Sequence, residues 1–354
     1  MIYVKKYRVL RRVFWYHVIR LQEAQFFKFP RKVSSVQAKD TLRTPPHIPV
    51  LLPQVLSCFS SVESGTLIDC TLGYAGHSSA LLKAHPELRL VGIDRDPEAL
   101  EFSSRRLEPF GDRVQLLRGS FSQLLPGLLQ EEPVSGLLAD FGVSSLQLDE
   151  KRRGFSFESE TLDMRMDPEA PLSAADVINT YPTERLEYIF REYGEIRQAR
   201  RLAEAIVARR NRSAIRSARE LSELARSYLP RGGKIHPATL MFQAIRIEVN
   251  DELGEIERLL DALEETPPSG ALIVLITFHS LEDRLVKNRF RQWSRKCICP
   301  PEAMRCSCGG NHDLGTIVTR KPLSASPEEL RENSRSRSAK LRCFRFHPRK
   351  GALA

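Results

Sequence analysis

No apolar run in this 354-residue chain approaches the roughly 20 residues that cross a bilayer, which argues against an integral membrane protein. Cysteine is scarce and uneven: the seven make an odd number, and four of them fall within residues 297–308. That distribution does not suit a secreted disulfide scaffold and points to a reducing compartment. There is no internal repeat, no heptad pattern and no G-x-G-x-x-G fingerprint. What remains is 42% hydrophobic and 28% charged residues, an ordinary globular composition long enough for a large core.

The formal charge of +10 sits at the ends. Residues 1–45 carry 11 basic and 2 acidic side chains, and residues 318–354 carry 10 and 3, leaving 33 basic and 39 acidic between them. Basic ends on a mildly acidic body suit a polyanion such as nucleic acid, whose phosphates attract Lys and Arg regardless of sequence. Solvated, solubilising tails give the same composition. The first 45 residues, aromatic and Arg-rich, are set aside from the fold as a flexible basic extension. A secretory signal is disfavoured there because Arg11, Arg12, His17 and Arg20 interrupt its apolar stretch.

From about residue 47 strands alternate with helices. Thr66–Thr71, Leu88–Asp94, Val114–Leu117, Val134–Ala139 and Ala271–Phe278 read as near-continuous apolar strands, the signature of a parallel sheet buried on both faces. Residues 149–235 hold no convincing strand and many arginines, including Arg209, Arg210 and Arg212, and read as a helical insertion. Ser217 through Glu220 has the form of a capping box. One long helix is expected over Phe242 to Leu263, on a stripe of apolar residues spaced by three and four.

Two loops carry chemistry. After the first strand, Asp69 leads into a turn containing Gly73, Ala75, Gly76 and His77, and Asp94 ends the next strand 21 residues after Gly73. Such an acid can accept both hydroxyls of an adenosine ribose. The turn lacks a third glycine and starts from a carboxylate, which repels a diphosphate and suits an ammonium group. S-adenosyl-L-methionine is therefore favoured over NAD as the cofactor. After the fourth strand, Asp140 opens the loop Asp140-Phe141-Gly142-Val143-Ser144-Ser145, where an acid can hold an amine nucleophile. The Cys297, Cys299, Cys306 and Cys308 group could close a tetrahedral zinc site, although its C-x-C spacing is tight and four reduced loop thiols account for it equally.

The Asp69–Ser78 turn, Gly92–Pro97, Asp140–Asp149, Leu162–Met166, Phe242–Asn250, Phe278–Arg284 and Ser334–Arg342 occur in an order that closely resembles the MraW family of ribosomal RNA small-subunit methyltransferases. The resemblance runs from about residue 47 to 348. It implies a class I, Rossmann-like methyltransferase: a mainly parallel doubly wound sheet, residues 46–148 and 236–350, carrying an all-helical insertion, residues 149–235, for rRNA recognition. The implied activity is methylation of the exocyclic N4 of a cytidine in the decoding region of 16S rRNA. A non-catalytic rRNA-binding assembly factor on the same fold is the alternative. Carried over by motif, the cofactor residues are Ala75, Gly76, His77, Asp94, Phe121, Asp140 and Gln147, with Asp69 and Gly73 beside them and Asp140 as the candidate catalytic group. The family usually has glycine where this chain has Ala75. The expected partner is 16S rRNA or the small ribosomal subunit, without a membrane and with a homodimer left open. The expected location is the cytoplasm, with organellar targeting by residues 1–45 also open.

Overall fold

The structure is a computed structural model and describes residues 48–131, 133–229, 238–300, 302–303 and 305–349. The basic extension, residues 1–45, and the expected end of the insertion at 235 lie outside the described residues.

The elements run α1 (Leu52–Phe59), β1 (Ser64–Asp69), α2 (Gly76–Ala84), β2 (Glu87–Asp94), α3 (Pro97–Leu107), β3 (Val114–Arg118), α4 (Phe121–Glu131) and β4 (Val134–Asp140). A helical section follows: α5 (Ser145–Asp149), α6 (Ala174–Thr180), α7 (Thr183–Glu192), α8 (Ala199–Arg210), α9 (Ala218–Tyr228) and α10 (Thr239–Asn250). The chain then returns to the sheet through α11 (Glu252–Glu265), β5 (Leu272–Thr277), α12 (Ser280–Trp293), β6 (Gly315–Ile317), α13 (Pro327–Glu332) and β7 (Lys340–Phe346).

Seven strands form one sheet in the order β3-β2-β1-β4-β5-β7-β6. β1 to β5 pair in parallel, while β7 runs antiparallel to both β5 and β6. The chain moves outward from β1 through β2 to β3, then crosses back to β4. That reversal opens a crevice at the carboxyl ends of β1 and β4, where open α/β sheets bind ligands. β1, β2 and β4 each end there on an aspartate: Asp69, Asp94 and Asp140. One face of the sheet is covered by α1, α2 and α3 through Phe59, Leu81 and Leu100. The other is covered by α4, α11 and α12 through Leu125, Leu259 and Phe290.

The doubly wound sheet is as the sequence predicts, but the carboxyl-terminal strand is not. Lys340–Phe346 looks like part of a basic tail and is instead an inner strand, with Leu341, Cys343, Phe344 and Phe346 buried. Its charge is absorbed locally: the Arg342 guanidinium, itself buried, donates to both carboxylate oxygens of Asp283, at 2.7 and 3.1 Å. Phe344 and Phe346 stack around Trp293 with ring centroids 5.3 and 5.2 Å away. Part of the carboxyl-terminal basicity is thus architectural.

The single helix expected over Phe242–Leu263 is also two. Asp251 adopts the left-handed conformation (φ 49°, ψ 40°) and separates α10 from α11. Its neighbour Asn250 supplies the cause. The buried Asn250 amide donates to the carbonyls of Met164 and Arg246, and its Oδ1 accepts the Met166 N–H at 2.8 Å. The apolar stripe continues across the break because it serves two cores. Phe242, Ile245 and Val249 join a helical cluster that begins at Phe155, whereas Ile256, Leu259 and Leu263 cover the sheet. Within that cluster Ser217 caps α9 by accepting the Glu220 N–H, as the capping pattern predicts.

Asn250→Ala strips partners from two buried backbone groups, the Met164 carbonyl and the Met166 N–H, so urea denaturation should show a loss of about 2–4 kcal/mol. A change below about 0.5 kcal/mol would show that the kink does not depend on this amide.

Candidate active site

The crevice at the β1/β4 switch point contains a cavity of about 330 Å³. Its floor is the turn after β1. Gly76 opens α2 against Pro49, and a Cβ there would meet Pro49 Cγ at 2.4 Å, so the close approach requires glycine. Ala75 adopts φ 53°, ψ 32°, a conformation that costs an alanine about 1 kcal/mol. Its fully buried methyl group recovers part of that cost.

The acids of the crevice have different duties. Asp94 lines the cavity and already accepts two backbone N–H bonds, from Gly73 at 2.8 Å and Asp96 at 2.9 Å. Burial, against those two N–H bonds, pushes its carboxyl up to about 6. Each oxygen keeps a lone pair for a ligand hydroxyl. Asp69 behaves otherwise. It does not line the cavity; Ser78 Oγ donates to it at 2.5 Å and the Thr71 N–H at 3.1 Å. The expectation that Asp69 faces an ammonium group is corrected to an internal brace for the turn, because the residue lies behind the cavity lining with its oxygens bonded to Ser78 and Thr71. Ala75 likewise lies beneath the cavity wall, not in it.

Asp140 is the unsatisfied member of the set. Its Oδ1 is buried and has no hydrogen-bond partner, although the residue lines the cavity. Its own backbone is fixed, since its N–H donates to Thr71 Oγ1 at 2.6 Å. Burial and the negative charges of Asp69 and Glu282 raise its carboxyl well above the usual range. His77 Nε2 lies 2.8 Å from the Val50 carbonyl, which leaves Nδ1 4.0 Å from Asp140 Oδ2.

Phe121 and Phe141 form an apolar wall, their centroids 6.1 Å apart. Gln147 lines the cavity, yet its amide is committed: Nε2 donates to Asp96 Oδ2 at 3.1 Å and Oε1 accepts the Ser144 N–H at 3.0 Å. Asp96 also caps α3 and pairs with Arg153 at 2.8 Å in a buried ion pair. Arg153 in turn donates to the carbonyls of Arg165 and Met166, each at 3.0 Å. A turn of the sheet domain is thereby tied to the helical section.

Sequence reasoning missed the far wall. Arg246 from α10 pairs through two nitrogens with Glu252 from α11, at 2.7 and 2.9 Å, and both line the cavity. Glu282 beside them is fully buried. Burial opposes its ionisation, but the His279 ring and the Phe278 N–H hold its carboxyl below the usual range. Glu252, His279 and Glu282 have ligand atoms within 4.8 Å of one another, a spacing that could take a metal. Arg246 already pairs with Glu252, and His279 Nε2 lies 3.1 Å from Glu282 Oε1, so the group reads as an ion-pair network. The only available signal was the i to i+6 Arg–Glu pair across an unrecognised helix break. Arg335, bound to Asp149 at 2.6 Å, adds positive charge to the cavity lining.

Residues 44–347 match the MraW methylase family. The chain belongs to that family. Among its relatives, a Sulfurovum protein named ribosomal RNA small subunit methyltransferase H is 65% identical over 301 residues, 85% of this chain and 98% of that protein. Proteins of the same name from a Nitratiruptor species and from Wolinella succinogenes are each 58% identical over the same shares. MraW methylases use S-adenosylmethionine, and the cavity fits its parts: an acid for the ribose, an aromatic wall for the adenine and an acid excess for cationic groups.

The raised Asp94 carboxyl sets a pH dependence. Below about 6 it takes a proton and loses acceptor capacity, so cofactor affinity should fall as pH drops through that value. The sign is opposite for the empty protein: a folded-state value above the unfolded one near 4 lets this group add stability as pH falls between the two. Calorimetric titration across this range should find weaker binding by Asp94→Asn and a flatter profile. A variant profile that overlays the wild type would remove Asp94 from the cofactor site.

Proposed function

We propose that this chain transfers a methyl group from S-adenosylmethionine to the exocyclic N4 of a cytidine in 16S rRNA, on the small ribosomal subunit. Family membership supports the methyltransferase reading, and the relatives' names support the rRNA. The observation that carries the mechanism is Asp140 itself, which lines the cavity and whose buried Oδ1 has no hydrogen-bond partner.

When bound, the cofactor supplies an electrophilic methyl on a sulfonium centre. In this proposal Asp94 accepts its ribose hydroxyls, Phe121 packs on the adenine, and the turn at Gly73, Gly76 and His77 shapes its floor. Asp140 holds the target amine. A cytosine amino group is a weak nucleophile because its lone pair is delocalised into the ring, so the enzyme's first task is alignment. Asp140 Oδ1 accepts an N–H of that amine, fixing the nitrogen. As positive charge builds there the carboxylate stabilises it and then takes the released proton, a role its raised proton affinity favours. A cationic ligand in the same cavity offsets the cost of ionising Asp140.

The target base must leave its stack to enter a cavity of this size. In our reading the helical section offers the docking face for rRNA, and Arg335 and Arg246 add positive charge to the cavity that receives the base. Two arginines of the expected surface are otherwise occupied: Arg209 pairs with Glu220, and Arg210 donates to the carbonyls of Ile178 and Tyr181 at 2.7 and 2.6 Å. Arg197, Arg212 and Arg216 are exposed and are the better candidates for phosphates. No helix among the described residues is long and apolar enough to cross a membrane.

With small subunits and labelled cofactor, Asp140→Asn should lower methyl transfer by about 10²–10⁴-fold while leaving the fold intact. Mass spectrometry of rRNA nucleosides should show N4-methylcytidine appearing with the wild-type protein alone. Turnover by the variant within a few-fold of wild type would exclude Asp140 from the chemistry. An unmethylated product in both would favour a non-catalytic assembly factor.

Converting Arg197, Arg212 and Arg216 together to Gln should weaken rRNA binding and reduce the slope of log K against log salt by about 0.7–0.9 per lost phosphate contact. An unchanged slope would place the docking face elsewhere.

A further inference from the structure

The loop joining α12 to β6 leaves the sheet at Trp293 and returns at Leu314, whose N–H donates to the Trp293 carbonyl at 2.7 Å. Between these points the chain has little apolar support. Ile298 is 63% exposed, and no described residue from 294 to 313 belongs to a hydrophobic cluster. What holds the loop's shape must come from elsewhere.

Four sulfurs converge there. The Sγ atoms of Cys297, Cys299, Cys306 and Cys308 all lie within 4.8 Å of one another. Cys297 is 3.6 Å from Cys306 and 3.6 Å from Cys308, and Cys306 is 3.5 Å from Cys308. A disulfide needs about 2.05 Å, so these are separate thiols. A tetrahedron of sulfurs about 2.3 Å from a central zinc has edges of about 3.8 Å, close to the spacings seen. The backbone is arranged to match. The Ser307 N–H donates to Cys299 Sγ at 3.3 Å, the kind of bond that supports a metal-bound thiolate. Gly309 and Gly310 follow the second pair at φ 81° and 70°, and only glycine makes two successive left-handed turns at little cost. His312 then ties back to the Cys308 carbonyl at 2.7 Å.

We propose that Cys297, Cys299, Cys306 and Cys308 form a structural zinc site that folds the 294–313 loop. Binding replaces four S–H protons by four Zn–S bonds and releases those protons to solvent, with no change of oxidation state. With all four positions filled by protein there is no open site for substrate, so the metal orders the loop and does no chemistry. It lies outside the cavity, which no described residue of this loop lines. The metal replaces the apolar core that the loop lacks.

The test uses the full chain purified without chelator. Elemental analysis should find about one zinc per chain, and the Cys297→Ser/Cys308→Ser double variant should retain less than about a tenth of it. Cobalt(II) substituted into the wild type should give the visible bands of a tetrahedral tetrathiolate, absent from the double variant. In native alkylation these four cysteines should be protected until a chelator is added. S-adenosylmethionine binding by the double variant reports that the rest of the molecule has folded. Metal-free wild-type protein with four freely alkylated thiols would overturn the proposal. So would intact-mass evidence of two disulfides in the loop, or zinc content unchanged in the double variant.

Discussion

A carboxylate oxygen buried without a partner costs roughly 1–3 kcal/mol, a cost that a ligand bound beside it can remove. Asp140 Oδ1 is in that position. Its backbone is pinned by Thr71, its other oxygen looks toward His77 at 4.0 Å, and Asp69 and Glu282 lie near enough to oppose its charge. Burial and the two acids make ionisation harder and a cationic or N–H-bearing ligand more welcome. The cavity is therefore built around an unmet need.

The other strand-end acids show what a met need looks like. Asp69 accepts one bond on each oxygen, from Thr71 and Ser78, lies behind the cavity lining and braces the turn. Asp94 accepts as many bonds, one backbone N–H on each oxygen, but it lines the cavity, so its remaining lone pairs are open to a ligand. Asp96, just beyond, is consumed by Arg153, Gln147 and the start of α3. Four aspartates from similar places in the sequence pattern thus divide: Asp69 braces the turn, Asp96 ties the sheet to the helical section, and Asp94 and Asp140 line the cavity, where we propose that they serve the cofactor and the target amine. Access to the cavity and the choice of hydrogen-bond partner separate them, and both are tertiary.

The same distinction limits what the chain reveals before it folds. The parallel sheet was legible because strands buried on both faces are nearly continuous apolar runs, and the switch-point turn because glycines and an acid recur at fixed offsets. β7 was not legible: arginines at 342 and 345 interrupt its apolar residues, and the salt bridge that neutralises Arg342 reaches back to Asp283 on α12. The break at Asp251 was hidden because the apolar stripe keeps its period through it. Periodicity reports that a face is buried, not against what. Gln147 was placed near the ligand by its motif and Asp69 by its charge at a strand end, and both bond to the protein itself.

The break also has a mechanical consequence. α10 belongs to the helical cluster and α11 to the sheet, so the two-residue junction Asn250–Asp251 is where the halves of the molecule are joined. Arg246 and Glu252 span that junction and face the cavity with their ion pair. Asp96 and Arg153 join the same halves on another side. Removing one member of either pair leaves a buried charge that costs about 3–5 kcal/mol, so the halves are not free to drift apart. An RNA held by the helical section is then held at a fixed distance from Asp140. In the proposed reaction, positioning of the weak nucleophile then rests on the ion pairs that join the two halves.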